Sequence, residues 1–584
     1  MRPIIIWIGV LMCAQVSARM SAQVFAQTGS PAAMRSIKDD YWEFFLRNNP
    51  ETATQLGEYK YNDRLSEYSA AHFVQVGEDA AALLARLKAV SSQELREQDT
   101  LDRTLLIGAL ENQLRSLKMK DYKMPLDQFN GVHLFFPQVA TYAPFDTVRH
   151  YEDYIARLKQ IPNRLDQVVA LLKQGATDRL MPPKYLLEKV VAQCDGVVGP
   201  AGEKNAFAQP LSKIPASFAD ADRKRLRDEM VRVVDGQVRP AYRKLRKYVA
   251  EQYAPKGRRD PGVWALPDGE ERYRIAVRMQ TTSNMSPAQI HELGLAQVAD
   301  LERQIAELAI RAGSPNPKAF QAAVYSDPKL KAASREQILE NFRRFIGQME
   351  PKLPQLFGIL PKSKVVVASV PEFMEKESST QYISGTPDGS RAGQVWVDTY
   401  DPAHHDVLDD EATAYHEGVP GHHMQIAIAQ ELPGLHPFHR TLQFNAYVEG
   451  WALYAELLGK EVGFYQDPAS DLGRLRSELF RAIRLVVDTG VHYKRWTRQR
   501  MMDYFLEHFG DPQETEVDRY IAWPGQALGY KVGQIKILEL RARAQRELGA
   551  KFDVRAFHDQ VLNAGALPLD LLEARINTWI QVTK

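Results

Sequence analysis

Cysteine is nearly absent from the 584 residues: only Cys13 and Cys194 occur. That excludes a disulfide framework and a cysteine-rich zinc site. An excess of charge of one sign is missing too. Lys+Arg is 74 and Asp+Glu is 73, a net charge of +1. No basic field is present to draw nucleic acid or an anionic membrane surface. Beyond the N-terminus no stretch approaches about 18 consecutive apolar residues, so no transmembrane helix is expected there. The Gly-rich loops of nucleotide binders and the G-x-S-x-G elbow of serine hydrolases are absent. What remains is ordinary globular composition, 45% hydrophobic and 25% charged. A single core stops growing near ~250–300 residues, so two domains or lobes are expected.

Residues 1–26 read as a secretory signal. Arg2 is its positive end. Residues 4–13 are an apolar run, too short to span a bilayer, which needs ~20 residues. Ala18 and Ala26 each end a small-residue stretch suited to cleavage. Cys13 sits where a lipoprotein signal would carry its cysteine, but Met12 is larger than the residue such signals prefer. The expectation is an exported protein, periplasmic or secreted, with no stable membrane insertion once the signal is cut. Cleavage leaves Cys194 alone.

Helical periodicity runs through most of the chain. Residues 35–48, 70–90, 95–118, 147–175, 218–253, 287–312 and 335–350 are candidate helices. The densest Pro/Gly stretch is 254–270, which sets the main boundary. It divides an N-terminal helical lobe, 27–255, from a catalytic helical region, 256–584. Residues 365–370 and 394–398 are strand candidates, separated by Gly/Ser/Pro-rich sequence. The second could offer an edge to an extended peptide. After residue 410 helices return.

Seven of the 14 histidines fall between His404 and His439. The dense part reads Tyr415-His416-Glu417-Gly418-Val419-Pro420-Gly421-His422-His423. A metal hydrolase needs two imidazoles on one side of a metal and a carboxylate beside them to take a proton from water. H-E-x-x-H achieves this on one helix, but residue 420 is Pro. The second imidazole is then His422 or His423. At 100° per residue a regular helix favours His423, about 20° from the face of His416. Pro420 and Gly421 can distort that turn, which keeps His422 open.

Glu449 is the best third ligand, because the surrounding 445–456 segment is apolar nearly all round and a buried carboxylate needs a partner. Glu456 shares its face and could accept from a ligand histidine, or form a salt bridge. Asp488 and His492 stand i,i+4 and could pair. Arg391, Arg484 and Lys531 are candidates to hold a substrate carboxylate.

These segments resemble a widespread bacterial family of predicted zinc peptidases. Its motif H-E-x-x-P-G-H-H-x-Q matches residues 416–425, and E-G-W-A-x-Y-A-E matches 449–456. Stretches 49–57, 488–497 and 523–531 fit as well. The resemblance implies a mostly α fold, two-lobed and similar to helical gluzincins, with a small β-sheet beside the active-site helix. Those gluzincins include oligopeptidases, angiotensin-converting enzyme and thermostable carboxypeptidases. In them H-E-x-x-H and a Glu about 25 residues later bind zinc; Glu449 lies 26 residues after His423. By this resemblance His416, His423 or His422, and Glu449 bind Zn²⁺, and Glu417 is the general base. Tyr530 is the first candidate to donate to the oxyanion, and His492 the second. The expected substrates are short peptides, cut by an exopeptidase or oligopeptidase. The alternatives are a zinc-dependent ester or amide hydrolase and a non-catalytic peptide-binding protein.

Overall fold

The computed structural model describes residues 30–371, 375 and 379–584, so the signal segment and Cys13 lie outside the described residues. Helices form where apolar residues recur at helical spacing. Ser30–Asn48, Ala70–Ala89, Glu97–Met119, Val148–Thr177, Pro287–Arg311 and Arg335–Met349 all overlap expected spans. Local signals set their ends. At Ser286 the hydroxyl accepts from the Gln289 N–H, the Gln289 side chain accepts from the Ser286 N–H, and Pro287 opens the first turn. The chain is mostly helical with one small sheet among the described residues.

That sheet has three strands, β1 Val365–Ser369, β2 Gln381–Ile383 and β3 Gly393–Val397, in the order β1-β3-β2. β3 runs parallel to β1 and antiparallel to β2. Val395 and Val397 point into the core, as alternation along a strand requires. The 394–398 segment is therefore no free edge. Gln394 to Trp396 are paired on both sides, by β1 and by β2, a strand outside the two expected from the sequence.

The buried side chains do not follow a single cut at residue 255. One cluster gathers residues between Leu65 and Ala254, mostly from beyond residue 125, and stops at the Pro/Gly-rich segment. A second joins residues 33–110 to residues 263–580, so the first three long helices pack with the C-terminal half. A third packs Pro287–Arg311 against the long helix Pro468–His492. That helix, together with Asn445–Glu461 and Gly529–Leu548, carries the polar side chains around the histidine motif.

Candidate metal centre

The motif begins on the short helix Asp410–Glu417, which stops at Gly418. The chain then turns through Pro420 and Gly421 and starts a new helix, His422–Glu431. Only glycine fits at 421. A Cβ there would lie 1.9 Å from the His416 carbonyl oxygen. The buried Trp451 fixes the turn, its Nε1–H donating to the Pro420 carbonyl at 2.9 Å.

This break decides which histidine meets His416. The rings of His416 and His422 stand 4.8 Å apart and nearly perpendicular. His416, Glu417 and His422 each offer a ligand atom, all within 4.8 Å of one another. Glu449 arrives from Asn445–Glu461, its Oε2 3.3 Å from His422 Nε2 and 3.6 Å from His416 Nε2. His423, which regular helical geometry favours, faces elsewhere. Its Nε2–H donates to the Ser363 carbonyl at 3.1 Å, and its Nδ1 accepts from the Tyr382 hydroxyl at 3.1 Å. Both ring nitrogens are thus engaged beside the sheet, and the helix break supplies the reason.

The electrostatics follow from burial. Burial pushes the His416 imidazole down, but hydrogen bonds to Glu449 and Glu456 outweigh it and raise it to about 10. Burial pushes Glu449 up, yet the two histidines hold its carboxyl well below the usual range. Glu417, 8% exposed, has no hydrogen-bond partner among the described residues. Burial raises its carboxyl above the ordinary value, while His416, His422 and Arg481 pull it back. A carboxylate held this way is a stronger base than one in water.

Tyr530 reaches the site through a close helix contact. Gly450 and Gly533 face each other, and a Cβ on Gly533 would lie 1.7 Å from the Ala446 carbonyl. Gly529–Leu548 therefore packs tightly on Asn445–Glu461 and brings the Tyr530 ring 6.2 Å from the His416 ring, nearly parallel. The Tyr530 hydroxyl accepts from Arg519 at 3.3 Å, which leaves its own O–H free to donate.

His492 is not at the site. It is buried, its Nδ1 accepting from the Val263 N–H at 3.0 Å and its Nε2–H donating to the Tyr520 carbonyl at 3.0 Å. Burial lowers its imidazole to about 3. It does not pair with Asp488, which accepts from the Tyr273 hydroxyl and the Gly525 N–H. Of the three cationic candidates, Arg391 donates to the carbonyls of Tyr142, Gln55 and Ser384. Arg484 bonds Tyr520 and Glu516, and Lys531 bonds Glu478 and Gln534. Cys194 is buried with its thiol pushed up to about 12, which suits no nucleophile. Tyr382, Arg481 and Arg519 lie outside the candidate residues of the sequence. Arg481 alone left a signal, standing one turn before Arg484 on the same helix.

The donor set fits zinc. Four donors at 2.0–2.1 Å in a tetrahedron stand ~3.3 Å apart, close to the two Glu449 distances. The Nδ1–H of His416 goes to Glu456 at 2.8 Å, so Nε2 is the atom that would give up its proton and supply the lone pair to a metal. His422 lacks such support: its Nδ1 is buried without a partner among the described residues.

Fold and site together define a mostly helical protein with two histidines and a glutamate converging beside a buried carboxylate. The chain belongs to the DUF885 family of bacterial proteins of unknown function, which matches residues 50–576. No curated protein matches it. It is similar to the crystal structure of a predicted lipoprotein from Colwellia psychrerythraea, with 29% identity and a TM-score of 0.89 over 94% of this chain and 99% of that one. A predicted lipoprotein of unknown function from Shewanella oneidensis shares the fold, with 18% identity and a TM-score of 0.71 over 94% and 99%.

Proposed function

We propose that this chain is a zinc-dependent peptidase acting on short peptides outside the cytoplasm. One observation carries the reading: His416 Nε2, His422 Nε2 and Glu449 Oε2 converge with the unpartnered carboxyl of Glu417 beside them. Zinc, when bound, polarises a carbonyl and lowers the pKa of water to ~7. Glu417 takes the proton of the attacking water and returns it to the leaving amine. The Tyr530 hydroxyl donates to the oxyanion that forms when water adds to the carbonyl. Glu456 holds the His416 tautomer. Export is supported by the signal-like N-terminus and by relatives described as predicted lipoproteins. No described helix is long and apolar enough to cross a membrane.

The test has two arms. Metal analysis of protein purified with zinc should give about one zinc per chain. Mass spectrometry of a diverse peptide mixture should show new, shorter products that disappear with a chelator and return with zinc. Hydrolysis that survives complete metal removal would overturn the reading.

A further inference from the structure

Two guanidinium groups hold Tyr530. Arg484 lies over its ring, 4.5 Å from the centre, and Arg519 Nη2 donates to its hydroxyl at 3.3 Å. The Arg484 side chain is 5% exposed and that of Arg519 13%, so both charges act with little screening by water. Arg484 donates to the Tyr520 hydroxyl at 2.8 Å and to Glu516 Oε2 at 3.1 Å. Arg519, on the helix Glu514–Ala522, reaches the other oxygen of Glu516 at 3.4 Å and Oε1 of Gln526 at 2.8 Å. Gln526 is tied in turn to Asn445, the first residue of the helix that carries Glu449. Its Nε2 donates to Asn445 Oδ1 at 3.3 Å, and Asn445 Nδ2 donates to its carbonyl at 2.7 Å. The Phe129 ring lies 5.2 Å from the Arg519 guanidinium, and Gln128 donates to the carbonyl of the neighbouring Asp518 at 3.0 Å. Arg519 is thus held by four separate segments of the chain.

A guanidinium has donors only, so the single proton of the Tyr530 hydroxyl cannot point at Arg519. A phenol O–H stays near the plane of its ring and has two preferred directions; the Arg519 charge disfavours the nearer one. The cation over the ring face holds the ring itself. A hydroxyl that accepts from a cation is also a stronger donor, because linked hydrogen bonds polarise one another. Building on the peptidase reading, we infer that Arg519 is a positioning residue: it turns the Tyr530 hydroxyl so that its proton faces the reacting carbonyl. Arg519 does not touch the substrate and acts only through Tyr530. A donor already aimed when the oxyanion forms needs no reorganisation at that moment, which is where such a donor gains its effect.

The experiment is a double-mutant cycle. Zinc-loaded wild type, R519M, Y530F and R519M/Y530F are compared in three measurements: hydrolysis of a short peptide, melting temperature, and calorimetric affinity for a phosphinic pseudopeptide, whose tetrahedral P–O⁻ mimics the oxyanion. R519M should lower kcat and kcat/KM together by about tenfold or more, the worth of a hydrogen bond to a charged group, and weaken the phosphinate by a similar factor. Both losses should vanish in the Y530F background, so that R519M/Y530F is no worse than Y530F. R519K, which keeps the charge and a donor, should recover part of each loss, and it carries the same cycle if R519M does not fold. Losses of equal size with and without the Tyr530 hydroxyl overturn the inference. So do unchanged turnover and phosphinate affinity in R519M, whatever its melting temperature. The wild type separates the two claims. Active wild type with an additive cycle removes the inference and leaves the peptidase. Phosphinate binding without hydrolysis removes the peptidase, and the affinity cycle then decides on Arg519. Wild type that does neither removes both.

Discussion

The Nδ1 of His416 lies 2.8 Å from Oε1 of Glu456, and both side chains are buried. The contact joins the motif helix to Asn445–Glu461 and aims His416 Nε2 at Glu449. A carboxylate behind a ligand imidazole fixes the ring and raises its basicity. Glu456→Ala should therefore weaken zinc binding by about 10–100-fold. Competition with a fluorescent chelator measures it. Unchanged affinity would make the contact structural only.

The adjacent histidines should separate cleanly. His422→Ala removes one of three converging donors and should release zinc during dialysis. His423→Ala removes hydrogen bonds to Ser363 and Tyr382, so it should keep its metal and lose stability by about 1–3 kcal/mol. Metal content and urea midpoint on the same preparations decide. Zinc loss in His423→Ala and retention in His422→Ala would reverse the assignment.

The reason His423 looks better in the sequence is instructive. Rotation by 100° per residue holds only while the helix continues, and it does not continue through Gly418 and Gly421. Pro420 and Gly421 announce a break, but the direction of the new helix depends on Trp451, thirty-one residues away from Pro420. The long helices were legible because each carries many apolar repeats. β2 was not, since three residues in a Gly/Ser-rich stretch hold no periodicity. Glu449 was legible as a carboxylate in an apolar helix. His492 misled because a polar residue on a buried helix satisfies a core hydrogen bond as readily as it serves a site. The packing of residues 33–110 with the C-terminal half rests on contacts between distant segments, which local patterns do not encode.

Glu417 and Tyr530 should fail in different ways from a structural residue. Glu417→Gln keeps the shape and removes the base, so zinc should stay while kcat falls by ~10²–10⁴-fold. Tyr530→Phe should lower kcat and kcat/KM together by ~10²–10³-fold with zinc retained, since the hydroxyl acts on charge present only in the transition state. His492→Gln should lower the melting temperature and leave kcat nearly unchanged. Normal turnover in Tyr530→Phe would remove the hydroxyl from the reaction.

Asp488 and His492 sit one turn apart on the same helix and should give opposite pH dependences of stability. Burial pushes Asp488 up to about 7 from 3.8, against hydrogen bonds from Tyr273 and Gly525 that pull it down. As pH rises from about 4 to about 7 the unfolded chain loses this proton while the folded chain keeps it, so folding weakens as pH rises. Burial lowers His492 to about 3 from 6.5. As pH falls below about 6.5 the unfolded chain gains a proton that the folded chain refuses, so folding weakens as pH falls. Each effect is at most about 1.4 kcal/mol per pH unit. Urea unfolding at pH 4, 5.5 and 7 isolates them by difference. The stability gap between wild type and Asp488→Asn should narrow as pH rises, because only the wild type pays for Asp488. The gap to His492→Gln should narrow as pH falls. Parallel pH profiles for wild type and either variant would show that the residue in question changes its protonation together with the unfolded chain, and that its burial carries no pH-dependent cost.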